Sequence, residues 1–202
     1  MSPRADAVRS RERILEVARR HDARSLRLND IARDAGVGIG TVYRHFPTVR
    51  ALIEALSVET LVRLGAAADR ALTEPDADAA FRGFLEDAVV LQLQDGGLET
   101  VLTDLALTDP DLHDECSVAR GEVFAGYDAV LSRAQRDGVV RDDLSVAQLQ
   151  RLICGIEHAV RLGAPADRDL LLDILVSGMR PGTLDSSAAT AAAPIRRSAT
   201  IG

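Results

Sequence analysis

Between Val37 and Phe46 the chain reads VGIGTVYRHF. Thr41 and Tyr43 carry hydroxyls suited to phosphate oxygens, and His45 can donate to phosphate from either ring nitrogen. Gly38 and Gly40 remove side chains just before them, which lets a partner approach the backbone closely. Val42 and Phe46 are apolar and must point the other way, into a core. Arg44 is either a solvated surface residue or a further contact to the same polyanion.

Other chemistries find little support. The glycines of GVGIGT loosely suggest a phosphate cradle, but no Lys follows and no strand precedes, so a nucleotide site is not indicated. Cys116 and Cys154 stand far apart, without a CxxC or Cys/His cluster, and read as two free thiols of a cytoplasmic protein. No nucleophile–base pair, metal site or cofactor site is recognisable, so an enzyme is not expected.

Charge is segregated. The net charge of −7 argues naively against nucleic acid. Yet residues 1–50 hold eleven Arg against six acids, whereas residues 51–202 hold thirteen against twenty-five. A basic head on an acidic body suggests that the head alone meets a polyanion. Nothing at the N-terminus resembles a signal peptide, and no apolar run is long enough to span a membrane.

The elements that position these residues are helical. Residues 1–12 read as an Arg-rich arm. Ile14, Leu15, Val17 and Ala18 then form an apolar helix face, and Leu28, Ile31, Ala32 and Ala35 form a second. Gly36 sits where a left-handed cap is expected. A short third helix opens near Gly38 and stops before Pro47. Residues 13–46 therefore read helix, helix, tight turn, short helix: a helix-turn-helix in a three-helix head. The second of its paired helices would lie in the major groove.

The stretch AGVGIGTVYRHFPTVRALIEAL resembles the DNA-binding signature of the TetR family of bacterial transcriptional regulators, over about residues 10–56. The resemblance implies that Thr41, Tyr43 and His45 contact the DNA backbone and that Ile39 and Gly40 face bases. Gly38, Arg44, Thr48 and Arg50 complete the expected DNA-binding set. It also implies a homodimer on a near-palindromic operator, most often a repressor, released when a small ligand enters the C-terminal domain. Two positions depart from the family pattern. Leu26 and Arg27 stand where Ser or Thr usually caps the second helix, and Val49 stands where Lys or Arg is favoured, with Arg50 as the available substitute.

The expected fold is all-α: the head over 1–46, a connecting helix over 47–74, a ligand-binding and dimerisation domain over 75–181, and a disordered tail over 182–202. Helices are expected to about Gln94, to about Thr108, from Pro110 to Asp137, near 145–163 and over 167–179. The last is apolar nearly all round, which predicts burial on two sides, one against its own domain and one against a second copy. Leu149, Ile156, Leu171, Leu175 and Met179 are the expected dimer residues. Apolar faces of four helices place Phe84, Ala88, Leu102, Leu105, Tyr127, Leu131 and Ile153 around a site for a small, mostly apolar effector. Tyr127 and His158 supply its hydrogen bonds, although His158 also reads as a core or interface histidine. The competing reading is a DNA-binding or protein-interaction module with no effector.

Overall fold

Capping and turn residues punctuate the chain into helices at the expected places. The structure, a computed structural model, describes residues 3–103 and 114–182. Among these it is helical throughout, without strands: α1 (Pro3–Ala18), α2 (Leu28–Ala35), α3 (Ile39–His45), α4 (Val49–Thr73), α5 (Ala77–Gln94), α6 (Leu98–Thr103), α7 (Asp114–Arg136), α8 (Val146–Leu162) and α9 (Asp167–Met179). The expected helix ends at Thr108 and Pro110, Leu105, and the tail from residue 183 onward lie outside the described residues.

One expectation is corrected at the start. The Arg-rich segment is not an extended arm but the first half of α1, which begins at Pro3. Its Ala, Arg and Glu residues are good helix formers, and proline suits the first turn, where no N–H is needed. The segment's exposed, polar surface hid the helix, because periodicity signals only a buried face.

Two apolar cores form. In the head, Ile14 and Ala18 of α1 meet Leu28, Ile31 and Ala32 of α2 and Val42 of α3, with Phe46 beside them. Leu52 of α4 is fully buried in this same cluster, so the head's packing unit runs past residue 46. The next residue, Ile53, belongs to the other core, with Leu61 and Leu64. Thr48 caps α4, its hydroxyl accepting from the Ala51 N–H at 3.0 Å.

In the body, α4 packs along α7 and α5, and α8 and α9 close the other side of α5. The α4–α7 crossing is tight: a Cβ on Gly126 would lie 2.8 Å from the Ala68 Cβ. Arg133 of α7 donates to the carbonyls of Ala71, Leu72 and Pro75, satisfying the end of α4 from a neighbouring helix. Gly138 ends α7 at φ 71°, and a Ser145/Gln148 capping box starts α8. Arg180–Asp78 and Arg82–Asp173 tie the α9 segment to α5.

Candidate nucleic-acid interface and regulatory core

The turn between α2 and α3 is built by Gly36 in the left-handed region, φ 64° and ψ 35°. The Val37 N–H then reaches the Ala32 carbonyl at 3.0 Å, and the Gly36 N–H reaches Arg33 at 3.1 Å. This closes α2 and swings α3 outward. Gly38 opens α3, accepting from the N–H groups of Thr41 and Val42.

Val42 and Phe46 are fully buried and pin α3 to the head. The opposite surface is bare. Ile39 is 40% exposed and Tyr43 51% exposed, one turn apart. Thr41 and His45, also one turn apart, are half-buried. A Cβ at Gly40 would meet nothing within 4 Å, so the protein's own packing does not require a glycine there. Gly38, Ile39, Gly40, Thr41, Tyr43, Arg44 and His45 thus form one continuous surface.

Arginines gather around it. The Arg11 guanidinium lies 5.6 Å from the centre of the Phe46 ring, a cation–π contact, and Arg13 reaches toward Gly36. Arg44 folds back, its Nε donating to the Gly40 carbonyl at 3.1 Å.

Arg50 departs from its expected place. It pairs with Glu54, Nε to Oε1 at 2.8 Å, and Glu54 is buried in the body side of α4. One step along a helix turns a side chain by about 100°. Arg50 is thereby held against Glu54, about 100° around the helix from Val49. No side chain caps α2, whose N-cap is Arg27. Thr48 is spent on capping α4.

These features decide the family. Residues 12–56 match the profile of bacterial regulatory proteins of the tetR family. Residues 76–181 match the profile described as the transcriptional regulator SbtR-like C-terminal domain, more than half of the chain. The chain belongs to the TetR family of transcriptional regulators. It is similar to a TetR regulatory protein from Mycobacterium vanbaalenii, 32% identical over 89% of this chain and 99% of that one, with TM-score 0.47. The regulator SCO0520 of Streptomyces coelicolor is 28% identical over 85% and 99%, with TM-score 0.52. FadR of Bacillus subtilis, solved with stearoyl-CoA, shares the fold at 18% identity over 86% and 99%, with TM-score 0.55. No curated protein matches the chain. As in other members of this family, the head is a DNA-binding helix-turn-helix and the helices behind it form a separate C-terminal domain. Among the described residues no helix is long and apolar enough to cross a membrane.

In that C-terminal domain, Phe84, Ala88, Leu102, Tyr127, Leu131 and Ile153 are all buried and share one cluster. The Phe84 and Tyr127 rings meet edge to face at 4.8 Å. Ala88 is fully enclosed, so a larger residue there would overpack the core rather than narrow a free space. His158 does not join them. It is exposed on α8, one turn before Leu162, whereas Tyr127 is fully buried.

The polar groups near Tyr127 are instead three that apolar periodicity passed over. Gln92 of α5 and Gln150 and Cys154 of α8 are buried. The Cys154 thiol donates to Gln92 Oε1 at 3.4 Å and accepts from Gln150 Nε2 at 3.1 Å. The Tyr127 hydroxyl faces Gln92 without a well-formed hydrogen bond. Burial pushes the Tyr127 phenol well above its usual range and the Cys154 thiol up to about 11. The signal was in the spacing: Gln92 continues the Phe84–Ala88 stripe, and Gln150, Cys154 and Glu157 lie at i, i+4 and i+7.

The five residues expected at a dimer contact are all buried or half-buried within the single chain. Leu149, Leu175 and Met179 are buried in the chain's own core, and Ile156 and Leu171 are half-buried. The apolar side chains left in solvent on α8 and α9 are Leu152, Leu162, Leu170 and Ile174, the last two 62% and 60% exposed. On a helix apolar nearly all round, periodicity cannot tell which stripe faces inward.

Proposed function

We propose that the protein is a cytoplasmic, ligand-responsive repressor that binds a near-palindromic operator as a homodimer and is released by a small, mostly apolar effector. The observation that carries the DNA-binding part is the bare first turn of α3. Ile39 and Tyr43 are exposed beside a glycine that nothing in the protein requires. Apolar Ile39 next to open backbone suits a base edge in the major groove, and the hydroxyls of Thr41 and Tyr43 suit flanking phosphates. Arg9, Arg11 and Arg13 add positive charge on α1.

The homodimer reading is supported by the exposed stripe of Leu152 and Leu162 on α8 and Leu170 and Ile174 on α9. Two copies of this helix pair would form a four-helix contact, the same patch on each side. Release is supported by the sharing of α4 between cores. Leu52 sits in the head and Ile53 in the body, so a ligand that shifts α4 against α7 would also shift the head. An effector acts only through its differential affinity for the released arrangement.

A second reading, a DNA-binding module without an effector, is favoured by the close packing around Ala88 and Tyr127. One experiment tests both. DNA bound by the full-length protein is selected from a random pool and compared with the region upstream of its own gene. The recovered operator is then titrated with a panel of small molecules. A two-fold symmetric site released by a panel member supports the proposal. Failure to enrich any sequence refutes specific DNA binding, and an operator unaffected by every compound favours the second reading.

A further inference from the structure

Gln92, Tyr127 and Gln150 are each at most 3% exposed, and each carries an orphaned polar atom. Gln92 Nε2 is a donor, Gln150 Oε1 an acceptor, and the Tyr127 hydroxyl both. They come from three helices, α5, α7 and α8, and meet around the Cys154 thiol, which bonds both carboxamides. A buried polar group without a partner is costly, and Leu would fill either Gln position at similar volume. A core selected for stability alone has no use for this arrangement. A site that must read a polar group on an otherwise apolar molecule does.

The cluster is also uncharged. Burial holds both the thiol and the phenol in their protonated forms. Glu157, one turn along the same α8 face, is paired through Oε1 with Arg161 and lies 3.7 Å from Arg24 of the head, while its buried Oε2 has no partner. An anionic ligand group would lose its hydration here, meet no positive charge within the cluster and lie beside this carboxylate. The edge of Phe84 against Tyr127 and the neighbouring Ile153 offer apolar contact beside the polar end.

We infer that Gln92, Tyr127, Gln150 and Cys154 are the polar end of the effector site, and that they take an uncharged ligand bearing a hydroxyl or carboxamide on an apolar body. This rests on the effector-responsive reading above. The Gln92 amide and the Tyr127 hydroxyl donate to the ligand oxygen, and Gln150 Oε1 accepts the ligand's O–H or N–H.

The test uses three probes of equal chain length, 1-octanol, octanamide and octanoate, titrated calorimetrically into the full-length protein at pH 7. The two neutral probes are expected to bind at least tenfold more tightly than octanoate. Gln92→Leu and Gln150→Leu should each weaken 1-octanol binding about threefold to tenfold, the range of one neutral hydrogen bond. Tyr127→Phe removes only one oxygen and should do the same if a Leu variant fails to fold. Octanoate binding as tightly as 1-octanol overturns the inference, as does 1-octanol binding that all three variants leave unchanged. Absence of binding by every probe, with both Leu variants more stable than the parent, means that a bridging water is the cluster's only guest, and this too overturns it. Operator affinity, read in parallel, keeps the two proposals apart. Probes that bind through Gln92 without weakening operator binding sink the effector reading alone. A compound that releases DNA equally from parent and variants sinks this site alone.

Discussion

A charge placed at Ile174 should split the proposed dimer without unfolding the protomer. Leu170 and Ile174 are 62% and 60% exposed in the single chain. Full burial of such a side chain is worth ~1.5–3 kcal/mol, so covering the exposed part gives ~1–2 kcal/mol each, and ~4–7 kcal/mol for both residues on both protomers. Ile174→Glu removes half of that and puts two unpaired carboxylates into the contact, one from each copy. A total loss of ~4 kcal/mol or more raises the dimer dissociation constant roughly a thousandfold. Sedimentation velocity at micromolar concentration should then show monomers with unchanged helical circular dichroism, and operator binding should fall with the loss of the second head. Leu175→Glu is the contrast, because Leu175 is only 9% exposed and its replacement should unfold the body. Dimers persisting at micromolar concentration in the Leu170→Glu/Ile174→Glu double variant would refute the α8–α9 contact.

Three further outcomes follow from the same geometry. Tyr43→Phe should weaken binding to all DNA sequences about threefold to tenfold, whereas Ile39→Ala should change which bases are preferred, and anisotropy titrations on operator and scrambled duplexes separate the two. Arg9 is exposed on α1 and, among the described residues, pairs with neighbouring Asp6, so Arg9→Gln should shallow the slope of log affinity against log salt by roughly 0.9 per protomer, while an unchanged slope assigns Arg9 to solvent. Burial holds the thiols of Cys116 and Cys154 at about 11 against an ordinary 9.0. Folding therefore favours the protonated thiol, and this contribution is whole below pH 9 and lost as pH rises toward 11. Urea unfolding at pH 7.5 and 10.5 should show a drop that Cys116→Ala and Cys154→Ala each reduce, and equal drops in all three proteins would refute the assignment.

The head was legible because its signals are local. Gly36 demands a left-handed turn, Pro47 stops a helix, and the apolar residues of α1 and α2 repeat at helical spacing, so residues 13–46 could be read without tertiary information. The start of α1 was not legible for the opposite reason. Its first three turns bury almost nothing, and a helix without an apolar face leaves only propensity to detect it. Arg50 shows the next limit. Its type suits phosphate, but its direction is fixed by the phase of α4, and that phase puts it on buried Glu54.

The body was legible as helices and not as a site, because apolar periodicity identifies what is buried and is silent on what is buried against it. Leu149, Leu175 and Met179 satisfied the pattern and are core, while Leu170 and Ile174 satisfied it equally and are surface. Leu52 and Ile53 are neighbours of nearly equal hydrophobicity, yet they point about 100° apart on α4 and enter different cores. The buried glutamines invert the problem. Gln92 and Gln150 read as solvent-facing by type and were missed, although their positions on apolar stripes mark them as buried. Polar residues that continue an apolar stripe are therefore the better guide to an effector site here than the large apolar residues around them, because packing explains Phe84 and Leu131 completely and does not explain Gln92.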